Sequence, residues 1–204
     1  WQEIGHVKAL KEDHFSFREF SLDMTYLENR GNHYMAWAQK GEKSNIYMAK
    51  IRPETPWQLD SMPILLTTPE YPWEIVNEKV NEGPFFWKEN GRIYLFFSAS
   101  GTGSEYCVGC MYAEEDSDLM DCSSWKKLDH PIFSTADVPD EYGPGHNSVV
   151  KDEEGTTLFV YHARPSEHDK GTCGYSNCHP LYDPCRHTRI RRLIWDEEKL
   201  PKVL

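Results

Sequence analysis

Apolar positions along the chain fall into short strand-length runs, cut by charged turns that end in glycine, and helical periodicity is nearly absent. Three stretches share one layout: SLDMTYLENRGNHYMAWAQ from Ser21, VNEGPFFWKENGRIYLFFSAS from Val80, and GPGHNSVVKDEEGTTLFVYHAR from Gly143. Each has a polar or Gly-flanked entry, a short strand, a turn closing on Gly31, Gly91 or Gly155, and then a strongly apolar strand. In these turns glycine supplies the positive φ that a tight hairpin requires. The turn glycines recur roughly 60 residues apart. SNIYMAKI, EYCVGCMYAEE and HTRIRRLIWDEE follow as third strands, and Trp57 and Trp125 open fourth ones in WQLDSMPILL and WKKLDHPIF. The opening WQEIGHV repeats that fourth-strand pattern, and DSDLMDCSSW reads as a turn or one helical turn.

Four antiparallel strands per repeat describe a β-propeller blade. A β-sandwich is the competing all-β reading, but it does not predict three matching units. Three repeats and one extra strand do not close a ring, since propellers use typically four to eight blades. An open ring leaves unpaired edges and an uncovered core. The expectation is therefore one partial propeller domain over residues 1–204, completed by N-terminal blades or by a second chain.

Within a propeller the first strand of each blade lines the axis. Asp23 lies eight residues before its turn glycine, and Glu82 and His146 nine before theirs. The three are expected to converge near the axis, where burying charge is costly without a functional return. Each has a structural alternative when taken alone: a turn cap for Asp23, a solvated turn residue for Glu82, and a carbonyl partner for His146. Two carboxylates in one cleft suit glycosidic bond hydrolysis, in which one protonates the leaving oxygen and another activates water or attacks carbon. Burial and a neighbouring negative charge would keep the acid protonated near neutral pH.

Composition narrows the partner. Net charge is −11 and no basic cluster stands out, which argues against nucleic acid. No run of 18 apolar residues exists, so no membrane-spanning helix is expected. WQEIGHVKAL has neither the basic nor the apolar region of a signal peptide. Aromatic residues make up 13% of the chain, a share that fits a sugar-binding cleft or a large β core. Trp37 and Trp87 are candidate sugar-stacking groups, with core packing as their alternative use.

Six cysteines permit three disulfides and favour an oxidising compartment. Cys107 and Cys110 of CVGC point to different sides of a strand and should not pair with each other. Cys110–Cys122, or pairs among Cys173, Cys178 and Cys185, are the expected bridges. Zinc is the rival reading, because His168, His179 and His187 lie in the same segment as the last three cysteines, but a second paired-ligand knuckle is lacking.

The stretches SLDMTYLENRGNHYMAWAQ, SNIYMAKI, VNEGPFFWKENGRIYLFFSAS, YGPGHNSVV, LFVYHAR and PLYDPCRHTRIRRLIWDEEKLP resemble glycoside hydrolase family 43 along essentially the whole chain. Within it the chain is most similar to exo-acting α-L-arabinofuranosidases that trim 1,5-linked arabinan. The resemblance implies a five-bladed β-propeller, of which this chain supplies about three blades plus one strand, and an inverting mechanism on arabinan- or arabinoxylan-derived oligosaccharides. It implies Glu82 as general acid and Asp23 as the carboxylate that raises its pKa and orients it. It also implies His146 beside the axis, touching sugar or holding a calcium ion through water, with no cofactor needed for chemistry. Arg189 is implied to reach the carboxylates or the substrate, and Asn45 to contact the sugar. The family's general base, a first-blade aspartate, has no counterpart: Asp13 lies in a loop-like segment, and Asp137 and Asp140 flank a loop. A non-catalytic carbohydrate-binding fragment, a β-xylosidase and an endo-arabinanase remain alternatives. The insertion between Arg164 and Arg186 favours exo action by closing one end of the pocket, and a polymer substrate with six cysteines points to an extracellular location.

Overall fold

The computed structural model describes residue 3 and residues 5–204, apart from the side chains of Asp169 and Pro180. The chain forms three four-stranded antiparallel sheets in simple up-and-down order. The first contains β1 (Ser21–Asn29), β2 (Asn32–Lys40), β3 (Ser44–Ile51) and β4 (Ile64–Thr67). The second contains β5 (Asn81–Glu89), β6 (Arg92–Ala99), β7 (Cys107–Glu114) and β8 (Lys126–Lys127). The third contains β9 (Glu141–Lys151), β10 (Thr157–Pro165), β11 (His187–Trp195) and β12 (Pro201–Val203). These are the blades of a β-propeller. A single short helix, α1 (Ser166–Asp169), stands in the insertion after β10.

The first two hairpins are two-residue turns in which both central residues have positive φ: Arg30–Gly31 and Asn90–Gly91. That twist matches the right-handed twist of the strands it joins.

The middle blade is buried on both faces, and β6 shows how. Ile93, Leu95 and Phe97 face the first blade with Ala36, Ala38, Ile46 and Met48. Tyr94 and Phe96 face the third with Phe159, Tyr161, Ala163 and Leu193. Period-two alternation thus serves two cores at once, which is why β6 is apolar throughout. CVGC follows the same rule: Cys107 enters the first core and Cys110 the second.

The outer strands depart from the sequence expectation. Trp57 and Trp125 do not begin the fourth strands; β4 starts after Pro63, and β8 stops before Pro131. Isolated bridges, Ile51 to Leu59 and Val108 to Phe133, carry the rest of each ladder. Proline has no N–H to give a ladder, so it fragments an edge strand. The third blade has its own fourth strand, β12, where none was expected. At the N-terminus, Trp1, Gln2 and Ile4 of the expected opening strand lie outside the described residues. Among those described there, Lys8 makes one isolated parallel bridge to Gln58.

Candidate active site

Each innermost strand is interrupted by a bulge, and β9 carries a second one between Tyr142 and Gly145, where Gly143 is left-handed. Register slips between Leu22 and Thr25 in β1, between Glu82 and Phe85 in β5, and between Gly145 and Ser148 in β9. At each slip one residue is left-handed: Asp23 (φ 56°), Gly83 (φ 57°) and His146 (φ 49°). A bulge with a left-handed residue bends the strand and redirects its side chains. These three bulges fall at the same level, two residues deep in β1 and β5 and further along in the longer β9. This refines the sequence phase: Asp23 and His146 are true equivalents, whereas Glu82 stands one position before the bulge, aligned with Leu22 and Gly145. Counting from the turn glycine hid that offset, because the third hairpin has a longer loop than the first two.

The bulges bring the three groups together. The Gly83 N–H donates to Asp23 Oδ2 at 3.0 Å, so Asp23 is anchored on the peptide beside Glu82. His146 Nε2 lies 3.8 Å from Asp23 Oδ1. A Cβ on Gly83 would meet the His146 ring at 3.4 Å, an ordinary contact, so glycine is favoured here by its left-handed φ of 57° rather than by space. The His146 N–H is tied to the middle blade by the Ser98 hydroxyl, 2.7 Å away, and Ser98 is the register partner of Glu82.

Glu82 has a further partner that the sequence did not reveal. The Tyr106 hydroxyl donates to Glu82 Oε1 at 2.7 Å. Tyr106 is 1% exposed, and its ring fits because Gly145 lacks a Cβ, which would otherwise stand 2.1 Å from it. The opposite side of the Tyr106 ring system meets His162, nearly parallel at 5.7 Å, and His162 in turn lies against His146.

Electrostatics follow this packing. Burial raises the Glu82 carboxyl above its ordinary range; the Tyr106 hydrogen bond opposes that rise, Asp23 adds to it, and His146 and Arg186 oppose it. Burial, the Arg186 charge and the neighbouring His146 and Arg164 drive His162 down to about 4, so it is neutral at physiological pH. The arrangement is a carboxyl that holds its proton more tightly than an exposed glutamate, with one oxygen occupied by a tyrosine.

The remaining sequence candidates separate. Arg189 does not reach the carboxylates: its Nε donates to Glu141 Oε1 at 2.7 Å, and Glu141 also accepts from Tyr161. Arg186, three residues earlier, is the arginine whose charge acts on Glu82 and His162. Trp37 is 1% exposed and packs with Met35, Ala49, Ile51 and Leu59, so it backs the Asp23 hollow as a core residue rather than offering a free face. Asn45 lines a separate hollow with Tyr47, to whose hydroxyl its Nδ2 donates at 3.1 Å. Asp13 caps its own loop through the N–H groups of Phe15 and Ser16, in keeping with its exclusion as a base.

For calcium, Asp23 and His146 offer one carboxylate and one imidazole, far short of the six to eight oxygens that ion takes. Any ion held there would draw its ligands chiefly from water or from other sequence. Of the expected bridges, Cys110–Cys122 is excluded by position. Cys110 is buried in the second core while Cys122 is exposed and donates to the Leu65 carbonyl, so the Cys110–Cys122 bridge does not form.

The hollow beside Glu82 measures about 330 Å³ and is walled by Asn77, Gly101, Gly103, His179 and Leu181. Asn81, adjacent to Glu82, joins Thr67 to the fully buried Glu74, which pairs with Lys127 Nζ at 2.7 Å.

Propeller blades that bring two carboxylates and an imidazole together on their inner strands supply groups suited to acid–base chemistry. Residues 1–201 match the family described as glycosyl hydrolases family 43, and the chain belongs to that family. It is 36% identical over 206 residues to an extracellular exo-α-(1→5)-L-arabinofuranosidase of Streptomyces avermitilis, covering 98% of this chain and 40% of that protein. It is 42% identical over 167 residues to the enzyme of that name from Streptomyces chartreusis, covering 80% of this chain and 49% of that protein. The crystal structure of an α-L-arabinofuranosidase from Lactobacillus brevis superposes with a TM-score of 0.85 at 38% identity, covering 99% of this chain and 59% of that one. The chain thus spans less than half the length of the curated relatives it matches.

Proposed function

We propose that these blades belong to an inverting glycosidase that releases terminal α-L-arabinofuranose from arabinan or arabino-oligosaccharides, with Glu82 as its general acid. The observation that carries the reading is the state of Glu82, raised by burial, with one oxygen taken by Tyr106 and Asp23 fixed on the next peptide. In this reading Glu82 gives its proton to the leaving glycosidic oxygen, and Asp23 disfavours early loss of that proton. Inversion needs a second carboxylate about 6.5–9.5 Å away to activate water. We assign that base to sequence beyond these 204 residues, since the matched region covers only 40% and 49% of the two Streptomyces relatives. Calcium at the axis, held through water by His146, stays part of the proposal as a supporting ion with no step of its own. Substrate class and an extracellular location are supported by the names of the Streptomyces relatives.

The test is Glu82→Gln in the full-length protein. Turnover of unactivated arabino-oligosaccharide should fall by about 10²–10⁴-fold, the usual contribution of a general acid. An aryl arabinofuranoside with a good leaving group, which needs little proton help, should lose far less. Equal losses on both substrates, or near-normal turnover of the oligosaccharide, would remove Glu82 from the role. Arabinan binding with no hydrolysis by the parent protein would favour a non-catalytic binding module.

A further inference from the structure

We infer that Cys173 and Cys185 close a disulfide that pins the insertion forming one wall of the Glu82 hollow. Their Sγ atoms are 3.3 Å apart, nearly in contact, across 12 residues of chain. Both lie within 4.8 Å of a ring nitrogen of His168. His168 is nine-tenths buried or more; its Nε2 is 2.9 Å from Asp183 Oδ2, while its Nδ1 has no hydrogen-bond partner. Asp183 is itself buried, accepts from the Cys185 N–H at 2.8 Å, and is held by Arg164. An aspartate thus fixes the imidazole with Nε2–H toward itself, which leaves Nδ1 as a proton acceptor in the same buried cluster.

A metal ion fits this cluster less well. With Zn–S bonds of about 2.3 Å, a 3.3 Å sulfur separation would force a S–Zn–S angle near about 92°, well below tetrahedral. Cys178 does not join the group that would supply a fourth ligand. Two sulfurs in contact instead need one side-chain rotation to reach bonding distance.

The reaction is a thiol–disulfide exchange with a disulfide oxidant such as an oxidoreductase of a secretory compartment. One cysteine gives its proton to His168, attacks the donor disulfide and forms a mixed disulfide. The second thiolate displaces the donor, which leaves as a dithiol carrying two electrons and two protons. The loop so closed contains His179 and Leu181, which wall the Glu82 hollow, and runs directly into Arg186. The bridge therefore fixes the segment from which Arg186 acts on Glu82, although its formation does not depend on the glycosidase reading.

The experiment is peptide mapping of the full-length protein expressed into an oxidising compartment, alkylated before reduction. A peptide joining Cys173 to Cys185, lost after dithiothreitol, is expected, and C178S should retain it. Protease cutting between residues 170 and 185 should speed up several-fold on reduction. The inference is overturned if both cysteines are alkylated without prior reduction, or if Cys178 pairs with either. One equivalent of chelator-removable zinc per chain would also overturn it. None of these readouts requires activity, so a failed glycosidase assay leaves them intact.

Discussion

Replacing Tyr106 by phenylalanine removes the hydroxyl that holds Glu82. The phenyl ring keeps its place against Gly145 and His162, so what disappears is the 2.7 Å bond to Oε1 together with the hydroxyl's contact to Ser98. A hydrogen bond to a charged acceptor contributes about 1.5–3 kcal/mol and one to a neutral acceptor about 0.5–1.5 kcal/mol. Tyr106 therefore favours the carboxylate over the acid by about 1–1.5 kcal/mol, or about one pH unit. Since this bond holds the Glu82 pKa down, Tyr106→Phe raises it further. The working form is the protonated acid, so the alkaline limb of kcat/KM should move to higher pH by about one unit, or somewhat less where water reaches the vacated oxygen. The assay is a pH–rate profile of the full-length protein on unactivated arabino-oligosaccharide. Melting close to that of the parent would show that the packing survives. An alkaline limb that stays put, or moves to lower pH, would refute the assignment of Tyr106 and Glu82 as a coupled pair.

Arg186→Met should also shift the alkaline limb upward by removing a positive charge that favours the carboxylate, whereas Arg189→Met should leave the limb in place; profiles of both variants decide which arginine serves the site. His162 titrates at about 4 in the native state against 6.5 unperturbed, so its stabilisation is complete above pH 6.5 and drains as pH falls toward 4. The loss amounts to about 3 kcal/mol, and urea unfolding at pH 7 and pH 4.5 should show a shallower pH slope for His162→Gln. Glu74→Gln leaves the nine-tenths-buried Lys127 with only the largely exposed Glu70, 3.6 Å away, as its anion and should cost about 3 kcal/mol in urea unfolding, while removing both charges with Glu74→Gln/Lys127→Met should cost less than the single change.

The blades were legible because period-two alternation and glycine turns are local signals. LENRGN and KENGR become two-residue hairpins with both central residues left-handed, as the glycine spacing implies. The outer strands were misplaced because Pro63 and Pro131 outweigh the apolar pattern around them, and a missing N–H is a stronger constraint than hydrophobicity on an edge. Asp23, Glu82 and His146 were found by phase, and they do meet. Tyr106 was not, since it sits outside any strand and its only sequence sign is a partner glycine, Gly145, some 40 residues away. Arg186 and Arg189 stand in one motif, RHTR, and their separation depends on where the insertion ends and β11 begins at His187. Sequence spacing alone does not fix that boundary.

The bulges explain why a site forms here at all. In an unbroken strand, Glu82 and its neighbour Gly83 would point to opposite faces, and each inner strand would contribute apolar groups to the cores on either side. A left-handed residue at Asp23, Gly83 and His146 breaks the alternation in each blade, and β9 has a further break at Gly143. The irregularity in the second blade frees the Gly83 N–H from the ladder, and Asp23 of the preceding blade takes it up. The same irregularity in the third blade turns His146 toward Asp23 and leaves its N–H for Ser98. The first blade thus satisfies the backbone N–H freed by the second blade's bulge, and the second blade satisfies that of the third, which draws the charged side chains together. A change that restored regular pairing at one bulge would strand the polar group of the next, so the acid, its tuning carboxylate and the imidazole are coupled through the backbone as well as through charge.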